Sequence, residues 1–147
     1  MSPQRLGQHF LEDRSVIDAI IEAADLRLED TVVEVGPGRG ALTSDLVERA
    51  GRVLLLEFDE DLADRLAFKY ESNHNVRVLN VDARDFGSDL DPWLVDSDYK
   101  VVANLPYYAA NPITRNFLES TRKPTSMVIM VQREVAERLA AEPGTRS

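Results

Sequence analysis

Four short stretches combine residue types and spacings that can hold a nucleoside and position a reacting amine. Gly36-Pro37-Gly38-Arg39-Gly40-Ala41 leaves a β-branched run and opens an apolar stripe at helical spacing. Glycine at 36 and 38 lets the backbone turn tightly and approach a ligand with no Cβ between them. The helix that follows offers unpaired N–H groups at its start. Glu57 comes 19 residues after Gly38, at the end of the next apolar run. Its carboxylate can accept hydrogen bonds from both hydroxyls of a ribose. Asp82-Ala83 follows the third run, where a carboxylate can take an adenine amino group and the next backbone N–H a ring nitrogen. The competing use of Asp82 is a helix N-cap.

Asn104-Leu105-Pro106-Tyr107 is the sharpest of the four. Pro106 has no N–H and biases Leu105 away from α geometry. The Leu105 carbonyl and the Asn104 side-chain oxygen can then grip an exocyclic –NH2 group from two sides. That grip orients the lone pair and lessens its conjugation with the ring, which makes the amine more nucleophilic. Tyr107 offers a face for an unpaired base, worth ~1–3 kcal/mol. Chemistry alone leaves the cofactor open. Gly36-x-Gly38-x-x-Ala41 also satisfies the dinucleotide fingerprint, so a nicotinamide oxidoreductase competes. A nonenzymatic binding or assembly module with a relic pocket is a third reading.

The elements that must position these residues follow from the pattern. Short apolar runs at 31–35, 53–56, 76–79, 99–103 and 127–131 predict five strands. Helical spacing predicts helices after Ser15 as N-cap, through Leu42 and Leu46, through Leu62 and Leu66, from near Pro112 through Phe117, and through Val135 and Leu139. The acidic, turn-rich stretch 85–98 carries Trp93 as a cover on the core. Such alternation predicts an α/β, doubly wound, mostly parallel sheet with helices on both faces. Ligands of such sheets sit outside the carboxyl ends of the strands, where the four stretches fall.

Composition narrows the classes. The 147 residues suit one globular domain. With no Cys there is no disulfide, thiolate metal site or cysteine nucleophile. The longest aliphatic run, from Met127 to Val131, is far short of the ~20 residues of a membrane helix. No apolar signal segment is visible near Met1, and a cytoplasmic location is expected. A net charge of −9 argues against a self-sufficient nucleic-acid binder. The acidic excess lies in the first 110 residues, and the remainder is slightly basic.

Taken in order, the motifs resemble the ribosomal RNA adenine N6-dimethyltransferase family, KsgA-type enzymes with the Erm resistance methyltransferases as relatives. Gly7-Gln8-His9-Phe10-Leu11, Glu34-Val35-Gly36-Pro37-Gly38-Arg39-Gly40-Ala41-Leu42-Thr43, Glu57-Phe58-Asp59, Asp82-Ala83, Asn104-Leu105-Pro106-Tyr107 and Val131-Gln132-Arg133-Glu134-Val135-Ala136-Glu137-Arg138-Leu139 carry the resemblance. It implies a Rossmann-like class I methyltransferase fold, S-adenosylmethionine as cofactor and no metal. Gln8, His9 and Leu11 would border the cofactor, Gly36 and Gly38 its methionine and ribose portions, Glu57 the ribose, and Asp82 and Ala83 the adenine. Asn104, which would also border the cofactor, would hold the target adenine of ribosomal RNA with Leu105, Pro106 and Tyr107, in the small ribosomal subunit by this reading. Members usually continue through two more strands and a helical domain. The expectation is therefore an N-terminal part, residues 1–147, that binds cofactor but is poor at RNA. The strand from Met127 to Val131 would then be an apolar edge open to self-association.

Overall fold

The computed structural model describes residues 12–88 and 91–132. In chain order these form α1 (Arg14–Ala24), β1 (Thr31–Val35), α2 (Ala41–Arg49), β2 (Arg52–Leu56), α3 (Glu60–Lys69), β3 (Val76–Leu79), α4 (Pro92–Val95), β4 (Lys100–Pro106), α5 (Tyr107–Leu118) and β5 (Ser126–Gln132). The strands make one sheet in the order β3-β2-β1-β4-β5, and every pairing is parallel. The predicted doubly wound sheet is what forms. The predicted helix through Val135 and Leu139 lies outside the described residues, as do Gln8, His9 and Leu11.

β1 is buried along its whole length, because a central parallel strand is covered on both faces and so reads as a continuous apolar run. Val32 faces a core built with Ile17, Ile20 and Ile21 of α1, Leu42 and Leu46 of α2, and Leu66 of α3. Val33 and Val35 face the opposite core, closed by Leu94 of α4 and by Ile113 and Phe117 of α5. Trp93 packs against that second core, with the guanidinium groups of Arg52 and Arg77 at 5.2 and 5.1 Å from its ring.

Three predicted boundaries move. Asp13, not Ser15, caps α1: its carboxylate accepts from the Ser15 N–H at 2.9 Å and the Ser15 hydroxyl at 2.7 Å. The fourth strand runs three residues past its predicted end at Ala103, because Asn104, Leu105 and Pro106 pair with Met130, Val131 and Gln132 of β5. The fifth helix begins at Tyr107, with Pro106 as its N-cap and Pro112 inside it. Pro112, on the exposed side of the second turn, cannot donate to the Tyr108 carbonyl, and its ring crowds that carbonyl.

Among the described residues β5 pairs with β4 alone. Its outer edge presents half-buried Met127, Val128, Ile129 and Met130 and the more exposed Val131. No helix among the described residues is long and apolar enough to cross a membrane.

Candidate functional site

The sheet order reverses between β1 and β4, since the chain builds outward to β3 and then returns to the far side of β1. Crevices form at such a reversal, outside the strands' carboxyl ends. A cavity of about 310 Å³ lies there, lined by Gly36, Gly38, Glu57, Asp82, Ala83, Asn104, Leu105 and Pro106, among others. All eight come from the predicted site, and four different strands deliver them. The volume is at the lower end of what small-molecule pockets span, ~300–1,000 Å³.

The glycine turn is left-handed at each glycine, with φ of 73° at Gly36, 60° at Gly38 and 87° at Gly40. At Gly36 the conformation coincides with a close approach: a Cβ there would sit 2.8 Å from the Asn104 carbonyl oxygen. The turn is thereby held against the Asn104 end of β4. Glu57 is buried beside it. One carboxylate oxygen accepts from the Gly38 N–H at 3.0 Å, the other from the Asp59 N–H at 2.9 Å. A carboxylate has about four acceptor sites, so these bonds fix its orientation and leave capacity for two hydroxyl donors. Burial raises the Glu57 pKa, opposed by those backbone bonds.

Asp82 is differently employed. No helix starts at it, so the N-cap use falls away. It forms a turn in which the Arg84 N–H donates to Oδ1 at 2.9 Å and the Arg84 guanidinium grips both oxygens. The Arg84 side chain holds the Asp82 carboxyl below the usual carboxylate range. The side chains of β4 alternate: Leu105 is buried in the second core, whereas half-buried Asn104 lines the cavity and a smaller hollow shared with Glu34, Gly36 and Arg39. Tyr107 does not line the cavity. It stands exposed at the first residue of α5, and its neighbour Tyr108 lines the rim instead.

Sequence reasoning missed Arg84 and Tyr108 in the cavity wall, and Glu34 beneath it. A guanidinium two residues from Asp82 was a visible signal for Arg84. Both adjacent tyrosines are exposed, and only the helix start at Tyr107 decides which of them borders the cavity. Glu34, buried in β1, accepts from the Thr43 hydroxyl at 2.5 Å, an acid inside an otherwise apolar run. Among the described residues no group of three or more His, Asp or Glu is placed to hold a metal.

A five-stranded parallel sheet with this crevice at its reversal has the fold of the class I S-adenosylmethionine-dependent methyltransferases. The solved structure of the 23S rRNA methyltransferase ErmE superposes with a TM-score of 0.70 at 35% identity, over 88% of this chain and 50% of that one. A dimethyladenosine transferase from Plasmodium falciparum gives 0.69 at 28% identity, over 95% of this chain and 49% of that one. Residues 2–147 match the model of the ribosomal RNA adenine dimethylase family, and the chain belongs to that family. It is 47% identical over 139 residues to the ribosomal RNA small subunit methyltransferase A of Dehalococcoides mccartyi strain CBDB1, covering 95% of this chain and 47% of that protein. The Levilactobacillus brevis protein of the same description is 40% identical, over 100% of this chain and 51% of its own length. The chain thus spans about half the length of the curated relatives it matches. Membership removes the nicotinamide reading of Gly36-x-Gly38-x-x-Ala41.

Proposed function

We propose that residues 1–147 act as one S-adenosylmethionine-binding domain of an enzyme that methylates the N6 amino group of adenines in small-subunit ribosomal RNA. The observation that carries this reading is the meeting of the Gly36 turn, the oriented Glu57 carboxylate and the Asn104–Pro106 end of β4 around one cavity. When bound, the cofactor supplies a methyl group already activated on a sulfonium. What the chain must supply is placement. Glu57 accepts the ribose hydroxyls on the sites its two backbone bonds leave open. Asp82 and the Ala83 N–H, one strand further out, take the adenine of the cofactor. At the other side of the reversal, Asn104 and the Leu105 carbonyl take the target amino group, and the exposed Tyr107 ring stacks its base. Holding a nucleophile ~3 Å from its target in line with the leaving group supplies most of such a rate. No strong base is needed, because the amine turns acidic only as its new bond forms.

Isothermal titration with S-adenosylmethionine, and with NAD in a parallel cell, tests the cofactor half. Saturable binding of the methyl donor alone is expected, at least ~30-fold weaker in Glu57→Ala, the size of losing charged hydrogen bonds. Because that variant also orphans two backbone N–H groups, circular dichroism on both proteins checks the fold. Binding of NAD alone sinks the reading. Methyl incorporation into small ribosomal subunits, compared between wild type and Asn104→Ala, tests the other half.

The β5 edge adds an expectation about assembly. Unpaired N–H and C=O groups flanked by apolar side chains invite another strand. Association that grows with concentration and is suppressed by Val131→Lys is expected in light scattering. A monomer at high micromolar concentration refutes it.

A further inference from the structure

We propose that Arg84 sets which purine the base end of the cavity accepts, competing with a 6-amino group for Asp82 and donating to a 6-oxo group once released. The inference rests on the proposed adenosyl cofactor. Glu57 at the end of β2 marks the ribose, and the next strand outward is β3. The base therefore falls against Asp82, Ala83 and Arg84, all three of which line the cavity.

There the acceptor is already engaged. Oδ1 of Asp82 accepts from the Arg84 N–H at 2.9 Å and from Nε at 3.1 Å. Oδ2 accepts from Nε at 3.1 Å and from Nη2 at 2.6 Å. Three N–H groups make these four contacts, the single Nε hydrogen being shared by both oxygens, and they take up most of the ~4 acceptor sites of a carboxylate. An incoming amino group must displace a guanidinium N–H or share its site. Displacement is easy on the side of Arg84, which is 51% exposed while Asp82 is 21% exposed, since an exposed ion pair is weakly held. The backbone bond from residue 84 does not depend on the guanidinium and keeps Oδ1 oriented when the side chain leaves. Oδ2 is the atom set free. Tyr108 lines the same cavity.

The two residues thus have opposite preferences. A carboxylate accepts from a 6-amino group and repels a 6-oxo oxygen, whereas a guanidinium can only donate and so favours the oxygen. With both present, the site tolerates hypoxanthine better than a bare aspartate would.

Titration of the 147-residue chain and of Arg84→Ala with S-adenosylhomocysteine and S-inosylhomocysteine decides the matter. Removing the guanidinium is expected to tighten the adenosyl ligand ~3-fold and weaken the inosyl ligand ~3-fold, the scale of one exposed ion pair. The affinity ratio then rises about tenfold. An unchanged ratio, or weaker adenosyl binding in Arg84→Ala, overturns the role of Arg84. If wild type binds the adenosyl ligand and Glu57→Ala does not, that result falls on Arg84 alone. A folded wild type that binds neither ligand overturns the cofactor reading and this role with it.

Discussion

Gly36→Ala is expected to lose S-adenosylmethionine binding and to unfold several degrees below the parent. Two costs fall on one atom. The residue sits at φ 73°, a region that costs a side-chain-bearing residue ~1–2 kcal/mol. The added methyl carbon would also lie 2.8 Å from the Asn104 carbonyl oxygen, and that oxygen is strand backbone, at a residue paired with Met130 of β5. It cannot yield as a flexible side chain can. The end of β1 must move away from β4, at the reversal where the cavity forms. Together these effects amount to ~2–4 kcal/mol. Gly40→Ala is the internal comparison. Its φ is 87°, but the one tight contact of its Cβ would be the Leu66 side-chain carbon, at 3.2 Å, which can shift. A milder loss is expected there. Thermal unfolding and titration of both variants check this, and equal losses refute the close approach as the cause.

Glu34→Gln is expected to flatten the dependence of stability on pH. Glu34 is 1% exposed, inside β1, and burial pushes its carboxyl up to about 8. The hydrogen bond from Thr43 pulls the other way, and the nearby Glu57 charge adds to the rise. The native state therefore keeps a proton that the unfolded chain gives up near its ordinary value of 4.5. Between those two values the folded form binds more protons, so stability falls as pH rises and levels off above the upper one. Removing the titration is worth ~3–5 kcal/mol at the alkaline end and little at the acid end. Glutamine keeps an acceptor for the Thr43 hydroxyl, so the clamp of α2 on β1 survives. Glu57, raised in the same direction, leaves a residual slope of the same sign. Denaturant unfolding of both proteins between pH 5 and 9 reads the difference. Parallel profiles refute a protonated Glu34.

Much of this was legible because it is written in local pattern. Strand runs at 31–35 and 76–79 matched β1 and β3 to the residue, since both are short runs rich in β-branched residues bounded by turn residues. Gly36, Gly38, Glu57, Asp82, Ala83 and Asn104 lie immediately beyond or at strand ends, and strand ends converge in this architecture. The Asp13 cap is a local misreading, whereas the misread end of β4 came from an interaction between distant segments. Pairing with β5 extends β4 through Pro106, and no propensity within Asn104-Leu105-Pro106 announces it. The extension sets the start of α5, which in turn decides that exposed Tyr108, and not Tyr107, borders the cavity.

The alternation of strands and helices, the glycine turn and the polar groups at strand ends are all written in local sequence. Each of these depends on a residue's own backbone freedom or on apolar periodicity along a few neighbours. How those groups are employed depends on packing between segments. Glu57 became a fixed acceptor because Gly38 and Asp59 donate to it. Asp82 became a shared one because Arg84 folds back on it. Glu34 became an uncharged acid at neutral pH because two cores and a sheet exclude water around it. Hydrogen-bond partners and desolvation are set by what packs alongside, and one-dimensional spacing carries no record of that.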